Sequence, residues 1–133
     1  MADKSTILRT FNTNFFDFFN EILTIYPNNP GIMTGKNAFE MAKKANPTIL
    51  IKVWYSFIYS RYHEVIDSGD ITFIYEKDYG EDVGHLGSSK TILEIIDSLR
   101  EPIRSMSDEN KAHSMQYMQV LSRLSEVYHD LTK

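Results

Sequence analysis

Pro47-Thr-Ile-Leu-Ile-Lys-Val-Trp-Tyr-Ser-Phe-Ile-Tyr-Ser-Arg-Tyr-His-Glu-Val-Ile66 holds the only tryptophan of the chain and three of its eight tyrosines. Asn46-Pro47 in front of it is a helix-start signal: Asn accepts a hydrogen bond from a free N–H, and Pro suits the first helical position. Asp67-Ser68-Gly69 closes it. Its polar positions, Lys52, Ser56, Tyr59 or Ser60, His63 and Asp67, recur at helical spacing as one narrow wet stripe on an otherwise apolar cylinder. A helix of that kind is covered by neighbours over most of its circumference. The spacing therefore predicts a central helix over 47–66, with Trp54 and Phe57 buried.

The rest of the chain supplies those neighbours. Ile7, Phe11, Phe15, Phe18, Ile22 and Ile25 step by three or four, and Phe16, Phe19, Leu23 and Tyr26 widen the face, predicting a first helix over Ser5–Tyr26 with Asp3 or Ser5 as cap. Five of the eight phenylalanines fall here, which reads as core rather than as a ligand wall. Pro27-Asn28-Asn29-Pro30-Gly31 is a turn. A shorter helix is expected from Ile32 or Thr34 to Ala45, with Ala38, Phe39, Met41, Ala42 and Ala45 inward and Lys36, Glu40, Lys43 and Lys44 in water. Lys43-Lys44 is a small basic spot, read as a solvated face. A further helix is expected to start near Ser89 to Thr91, where Thr91 and Glu94 have capping-box spacing and Ser88 or Ser89 can serve as the cap instead. Ile92, Ile95, Ile96, Leu99, Ile103 and Met106 keep a helical stripe that Pro102 should kink or break near Glu101. Ser107 caps a last helix, with Asp108 and Glu109 in its first turn. Tyr117, Leu121, Leu124, Tyr128 and Leu131 form its seam, broadened by Met115, Met118, Val120 and Val127. The four–three spacing of that seam also permits self-association.

Between these helices, residues 67–89 change character. Ile71-Thr-Phe-Ile-Tyr75 is β-branched and aromatic, yet no second strand pattern exists to pair with it, so a sheet is not expected. Phe73 and Tyr75 or Tyr79 are expected to pin the segment to the helices. The fold class is accordingly all-α: one domain over 1–133, a compact bundle of about five helices with one irregular acidic loop at 67–89.

Composition narrows function. The chain has 133 residues, 42% hydrophobic and 13% aromatic, enough for a real core. Net charge is −4, which gives no global attraction to nucleic acid or anionic lipid. Six acids and one Lys fall within 67–82. No cysteine is present, which excludes disulfides, thiol catalysis and thiolate metal sites and fits an intracellular location. The N-terminus lacks the apolar core of a signal peptide, and Lys52, Arg61, His63 and Glu64 interrupt the one run of spanning length, so a soluble chain is expected.

Four patterns bear on chemistry. Gly84-His-Leu-Gly-Ser-Ser-Lys-Thr91 approaches the phosphate-cradling G-x-x-x-x-G-K-[ST], and Gly84, Gly87, Ser89, Lys90 and Thr91 are the candidate ligand residues. Ser89 replaces the second glycine, however, and no parallel sheet or magnesium-binding strand accompanies the loop. The acids Asp67, Asp70, Glu76, Asp78, Glu81 and Asp82 do not fit a calcium loop: from Asp78, position three is Gly80 and the glycine at six is missing. His63, His85, His113 and His129 form no metal-ligand pair. No serine sits in a nucleophile elbow, and the basic residues are not interleaved with exposed aromatics as a nucleic-acid platform requires. No catalytic residues, cofactor or metal are expected.

A Phe-rich first helix ending before a proline (Phe11 to Pro27), Asn46-Pro47 opening a long helix, the aspartate–aromatic patches Asp70 to Phe73 and Asp78-Tyr79, and the last-helix start Ser107-Asp-Glu-Asn-Lys111 with Tyr117-Met-Gln-Val-Leu121 together form a pattern. It resembles that of small helical proteins of unassigned role encoded by large DNA viruses of algae and protists. The resemblance implies a small helical viral protein, made in the infected cell or packaged in the virion, and brings no catalytic residues with it. The reading that follows is a non-enzymatic protein–protein interaction or structural accessory module. Its expected surface is Lys52, Ser56, His63, Asp67, Asp70, Asp78 and Asp82, where the polar stripe meets the acidic loop. Nucleotide or phosphate binding through Gly84–Thr91 is the alternative, and nucleic-acid binding the third.

Overall fold

A computed structural model describes residues 3–70 and 98–132 of the chain. The described residues are all-α and contain no strand. Helix α1 (Lys4–Ile25) starts where Asp3 Oδ1 accepts from the Thr6 N–H at 2.8 Å. That satisfies one of the donors a helix start leaves open. The same bond, followed by the nearby Arg9 charge, holds the Asp3 carboxyl below its usual range. Asn29 caps α2 (Pro30–Ala45) by accepting from the Gly31 and Ile32 N–H groups, and Pro30 takes the first position, where its missing N–H costs nothing. The helix therefore begins ahead of the expected Ile32 or Thr34. Its inner side is Ile32, Gly35 and Phe39. Met41, expected inward, is 72% exposed, and Ala45 is exposed too. Two residues past Phe39 a helix has turned about 200°, so Met41 lies on the opposite side.

The central helix is less regular than the spacing predicts. It begins at Ile49 rather than Pro47, because Asn46 closes α2 and its Oδ1 accepts from the Thr48 N–H and hydroxyl, leaving a single tight turn between the helices. α3 (Ile49–Val53) passes into a π-helical segment (Trp54–Tyr59), where the Ser60 N–H reaches back five residues to Tyr55 O, and then into α4 (Ser60–Asp67). The buried positions Trp54, Ile58, Tyr62 and Ile66 explain the wide turn. Steps of four overshoot a 3.6-residue turn by about 40° each, and the wider π turn takes up that drift. Phe57 is half-buried, not enclosed like Trp54.

After residue 97 a short helix, α5 (Arg100–Arg104), carries Pro102 in its first turn, where proline is tolerated. Leu99, Ile103 and Met106 are buried as expected. The Tyr26 hydroxyl at the end of α1 donates to Pro102 O at 2.7 Å, fastening α5 to the bundle. The Ser107 hydroxyl accepts from the Asn110 N–H at the start of α6 (Asp108–Thr132), as the sequence predicts.

α6 runs antiparallel to α1, with His113 beside Glu21 and Tyr117 on Phe18, and antiparallel to the central helix, with Gln119 on Ile66 O and His129 on Tyr55. Met118, Leu121 and Tyr128 are buried inside the protomer, so much of the expected self-association seam is spent in the core. Val120 and Leu131, expected to be part of it, are 43% and 48% exposed. The core is centred on Phe15, whose ring meets Phe39 edge-on at 4.8 Å and Trp54 at 6.4 Å and stacks with Phe11 and Phe19. The only buried indole is satisfied: Trp54 Nε1 donates to Ser122 Oγ at 3.0 Å.

Candidate functional site

The polar stripe exists as a surface. Lys52, Ser56 and Asp67 are exposed and His63 is half-buried, on one side of the central helix, with Asp70 exposed just beyond its end. The acidic loop's Asp78 and Asp82, and the phosphate-loop candidates Gly84, Gly87, Ser89, Lys90 and Thr91, lie outside the described residues. So do Phe73, Tyr75 and Tyr79 and the rest of the β-branched run 71–75. No group of three or more His, Asp or Glu among the described residues is placed to hold a metal ion. No described helix is long and apolar enough to cross a membrane.

Beside the stripe the structure builds something that sequence reading missed. Tyr55, Tyr59 and His63 follow one another at four-residue steps, and their rings stack, Tyr55 on Tyr59 at 5.2 Å and Tyr59 on His63 at 5.0 Å. His129 of α6 lies on Tyr55 at 3.9 Å, tilted by only 9°. Four rings thus form a file along the seam between the central helix and α6. All four are half-buried. The file is fixed by polar bonds as well as by stacking. The Tyr59 hydroxyl donates to Glu126 Oε2, and the His63 Nδ1–H donates to Tyr59 O at 3.0 Å. The bond to the Glu126 carboxylate favours the neutral phenol, and with burial and the nearby Asp67 charge it pushes the Tyr59 hydroxyl up to about 12. Because the rings cover one another's faces, the file offers solvent mainly ring edges and polar tips. A nucleobase needs an open aromatic face to stack on, which this arrangement leaves only at its ends.

Two cavities flank the stripe. One of about 220 Å³ lies between Lys52, Tyr55 and Ser56 on one side and Ser125, His129 and Thr132 on the other. A wider groove of about 850 Å³ adjoins Asp67, with Gln119, Val120 and Arg123 in its wall. On the α1 side of α6, burial raises the Tyr117 hydroxyl, assisted by the Glu21 carboxylate.

A third feature lies away from the stripe. Asn12 of α1 is only 5% exposed; its Nδ2 donates to Pro47 O at 3.1 Å, while Oδ1 has no hydrogen-bond partner among the described residues. Leaving a buried acceptor unsatisfied costs about 1–3 kcal/mol. Asn12 sits in the wall of a cleft of about 580 Å³ between α1 and α2, which Lys43 and Lys44 also line. The lysine pair read as a plain solvated face therefore borders a concave site. Nothing local in sequence marks Asn12, which falls on the buried side of α1 among phenylalanines.

The fold and the site together define a small all-α protein with a preorganised aromatic edge. The chain matches no protein-family model, no curated protein and no solved structure.

Proposed function

We propose that the protein is a non-enzymatic interaction module, and that it meets a protein partner along the stripe from Lys52 to Asp67 with the aromatic file as the anchor. One observation supports this reading: Tyr55, Tyr59, His63 and His129 are half-exposed yet already held by stacking and hydrogen bonds. Tyrosine supplies contact area and a polar tip together, and is enriched among residues that dominate binding energy. Rings fixed beforehand forgo most of the ordering cost that association otherwise charges to mobile side chains. The cavities at either end of the stripe offer pockets into which partner side chains can enter. The resemblance to viral proteins is compatible with an accessory or structural role of this kind, made in an infected cell.

The test is capture by a tagged full-length chain from the cells that produce it, with the wild type and Tyr55→Ala compared at equal expression. The expected result is a partner retained in fixed proportion by the wild type and lost with Tyr55→Ala by about thirtyfold, which corresponds to a hot-spot contribution of about 2 kcal/mol. A strict monomer by light scattering with no retained partner, or a partner indifferent to Tyr55, overturns the reading. Nucleotide binding through Gly84–Thr91 has the sequence pattern alone in its favour. A rise in melting temperature with ATP or GTP and magnesium, abolished by Lys90→Ala, would establish it instead.

A further inference from the structure

Tyr59 stands inside the ring file with a proton acceptor already placed on its hydroxyl. Its ring lies between Tyr55 at 5.2 Å and His63 at 5.0 Å, and the hydroxyl donates to Glu126 Oε2. His129 extends the stack beyond Tyr55 at 3.9 Å. A phenol that gives up one electron becomes a strong acid, so the loss is easy only where a base takes the proton at once. A carboxylate in hydrogen-bond contact is such a base. The departing electron also leaves positive charge on the ring. Aromatic faces on either side attract that charge, and so do the Glu126 and Asp67 carboxylates, whose fields reach this hydroxyl. Other tyrosines have only part of this set. Tyr26 donates to the Pro102 carbonyl, which cannot keep a proton. Tyr117 has Glu21 at its hydroxyl, but its ring lies on Phe18, which is much harder to oxidise than tyrosine. The chain has no cysteine, the residue that ordinarily meets oxidants first, and its one tryptophan is buried. The rings of the file are half-buried, so a small oxidant can reach their edges.

We propose that Tyr59 is a one-electron donor site for small diffusible radical oxidants of the nitrogen dioxide class. The electron passes to the oxidant, which becomes nitrite, and the hydroxyl proton passes to Glu126 Oε2. Tyr59 is left as a neutral phenoxyl radical beside a neutral carboxylic acid. A second nitrogen dioxide then couples to the ring carbon next to the C–O bond. The hydrogen at that carbon moves to the oxygen as a proton, and the product is nitrotyrosine. This role uses the geometry of the file and no partner, so it stands or falls apart from the interaction reading.

The experiment exposes the full-length chain to nitrogen dioxide generated by pulse radiolysis of nitrate, follows the phenoxyl absorption, and locates nitrotyrosine by peptide mass mapping. In the wild type most nitration is expected on Tyr59, a result that needs no variant. Phenoxyl should form at least fivefold more slowly in Tyr59→Phe, with an unchanged helical spectrum. Glu126→Gln keeps a hydrogen-bond acceptor of the same size that holds a proton poorly. It should slow formation at least fivefold, and imidazole buffer, which supplies another base, should recover part of the loss. A merely structural glutamate would show no such rescue. Tyr117→Phe should change the rate by less than twofold. Nitration concentrated on any other tyrosine overturns the proposal, as do equal rates in the wild type and Tyr59→Phe. A Glu126→Gln chain as fast as the wild type, or one whose loss imidazole leaves untouched, overturns it too. Partner capture with and without Tyr55→Ala tests the interaction reading and depends on none of these rates.

Discussion

The molecule uses aromatic rings in two opposite ways. Around Phe15 the rings of Phe11, Phe19, Phe39 and Trp54 meet it at many angles, from the near-perpendicular contact with Phe39 to the shallow one with Phe19, and all five are removed from water. Along Tyr55, Tyr59, His63 and His129 they lie in one line, tilted by 9° to 26°, with edges toward solvent. The first arrangement fills a volume from three helices at once. The second joins only two elements, and every ring in it carries a polar atom. Phenylalanine can serve only the first purpose, whereas tyrosine and histidine keep a handle for the second. The difference separates residues that hold the bundle together from residues available to a partner.

Substitutions can break that contrast, and their expected costs fall in order. Phe15→Ala removes the ring on which the dry cluster converges and should cost about 3–5 kcal/mol in urea unfolding, with loss of the ordered near-ultraviolet spectrum. A cost below about 1 kcal/mol would mean that Phe15 is not the centre of the core. Trp54→Phe keeps most of the apolar volume but leaves the buried Ser122 hydroxyl without its donor, which should cost about 1–3 kcal/mol. Adding Ser122→Ala to Trp54→Phe should restore part of it, and a double-mutant cycle measures how much.

In the aromatic file the effects are smaller and depend on pH. Tyr59 is held neutral in the folded protein up to about 12, against an ordinary value of 10.0. Its folded value is the higher one, so its contribution is complete below pH 10 and is lost as pH rises through 12. Wild-type stability should therefore fall between pH 10 and 12, and Tyr59→Phe should flatten that part of the profile while changing stability at pH 7 by about 0.5–1.5 kcal/mol. An unchanged alkaline slope in the variant would remove Tyr59 from the account. Met41→Gln, on the outer side of α2, should stay within about 0.5 kcal/mol of wild type.

Local sequence carried much of this architecture because local chemistry decides it. Asp3 and Ser107 as caps, the buried face of α1 and the hub position of Trp54 all follow from spacing and hydrogen-bonding capacity within a few residues. Met41 was misplaced because small and apolar residues occur on both sides of α2, and only the packing of Phe39 against Phe15 and Phe19 sets its phase. The π segment is not marked in the sequence because apolar residues lie nearly all round 49–66, and only burial singles out the four-step row of Trp54, Ile58, Tyr62 and Ile66 that the wide turn keeps inward. The stripe of Lys52, Ser56, His63 and Asp67 was visible in sequence; its partners were not. Glu126 and His129 lie 67 and 74 residues beyond Tyr59 and Tyr55, and no short-range pattern ties them together. The four-residue spacing of Tyr55, Tyr59 and His63 was the one signal available.

The wide turn at Trp54–Tyr59 also sets a rule for chain length. Excising a single residue from it would let an ordinary helix run unbroken from Ile49 to Asp67 with little change of phase, because each of the six residues turns by less than the usual 100° and their shortfall amounts to about one residue's rotation. Tyr62 and Ile66 would keep their side of the helix, and His63 and Asp67 would stay at the seam with α6. The same excision within α4 would instead turn everything after it by about 100° and carry Ile66 out of the interior. The chain can therefore lose a residue at the wide turn without rewriting the apolar pattern of α4, and cannot lose one a turn later.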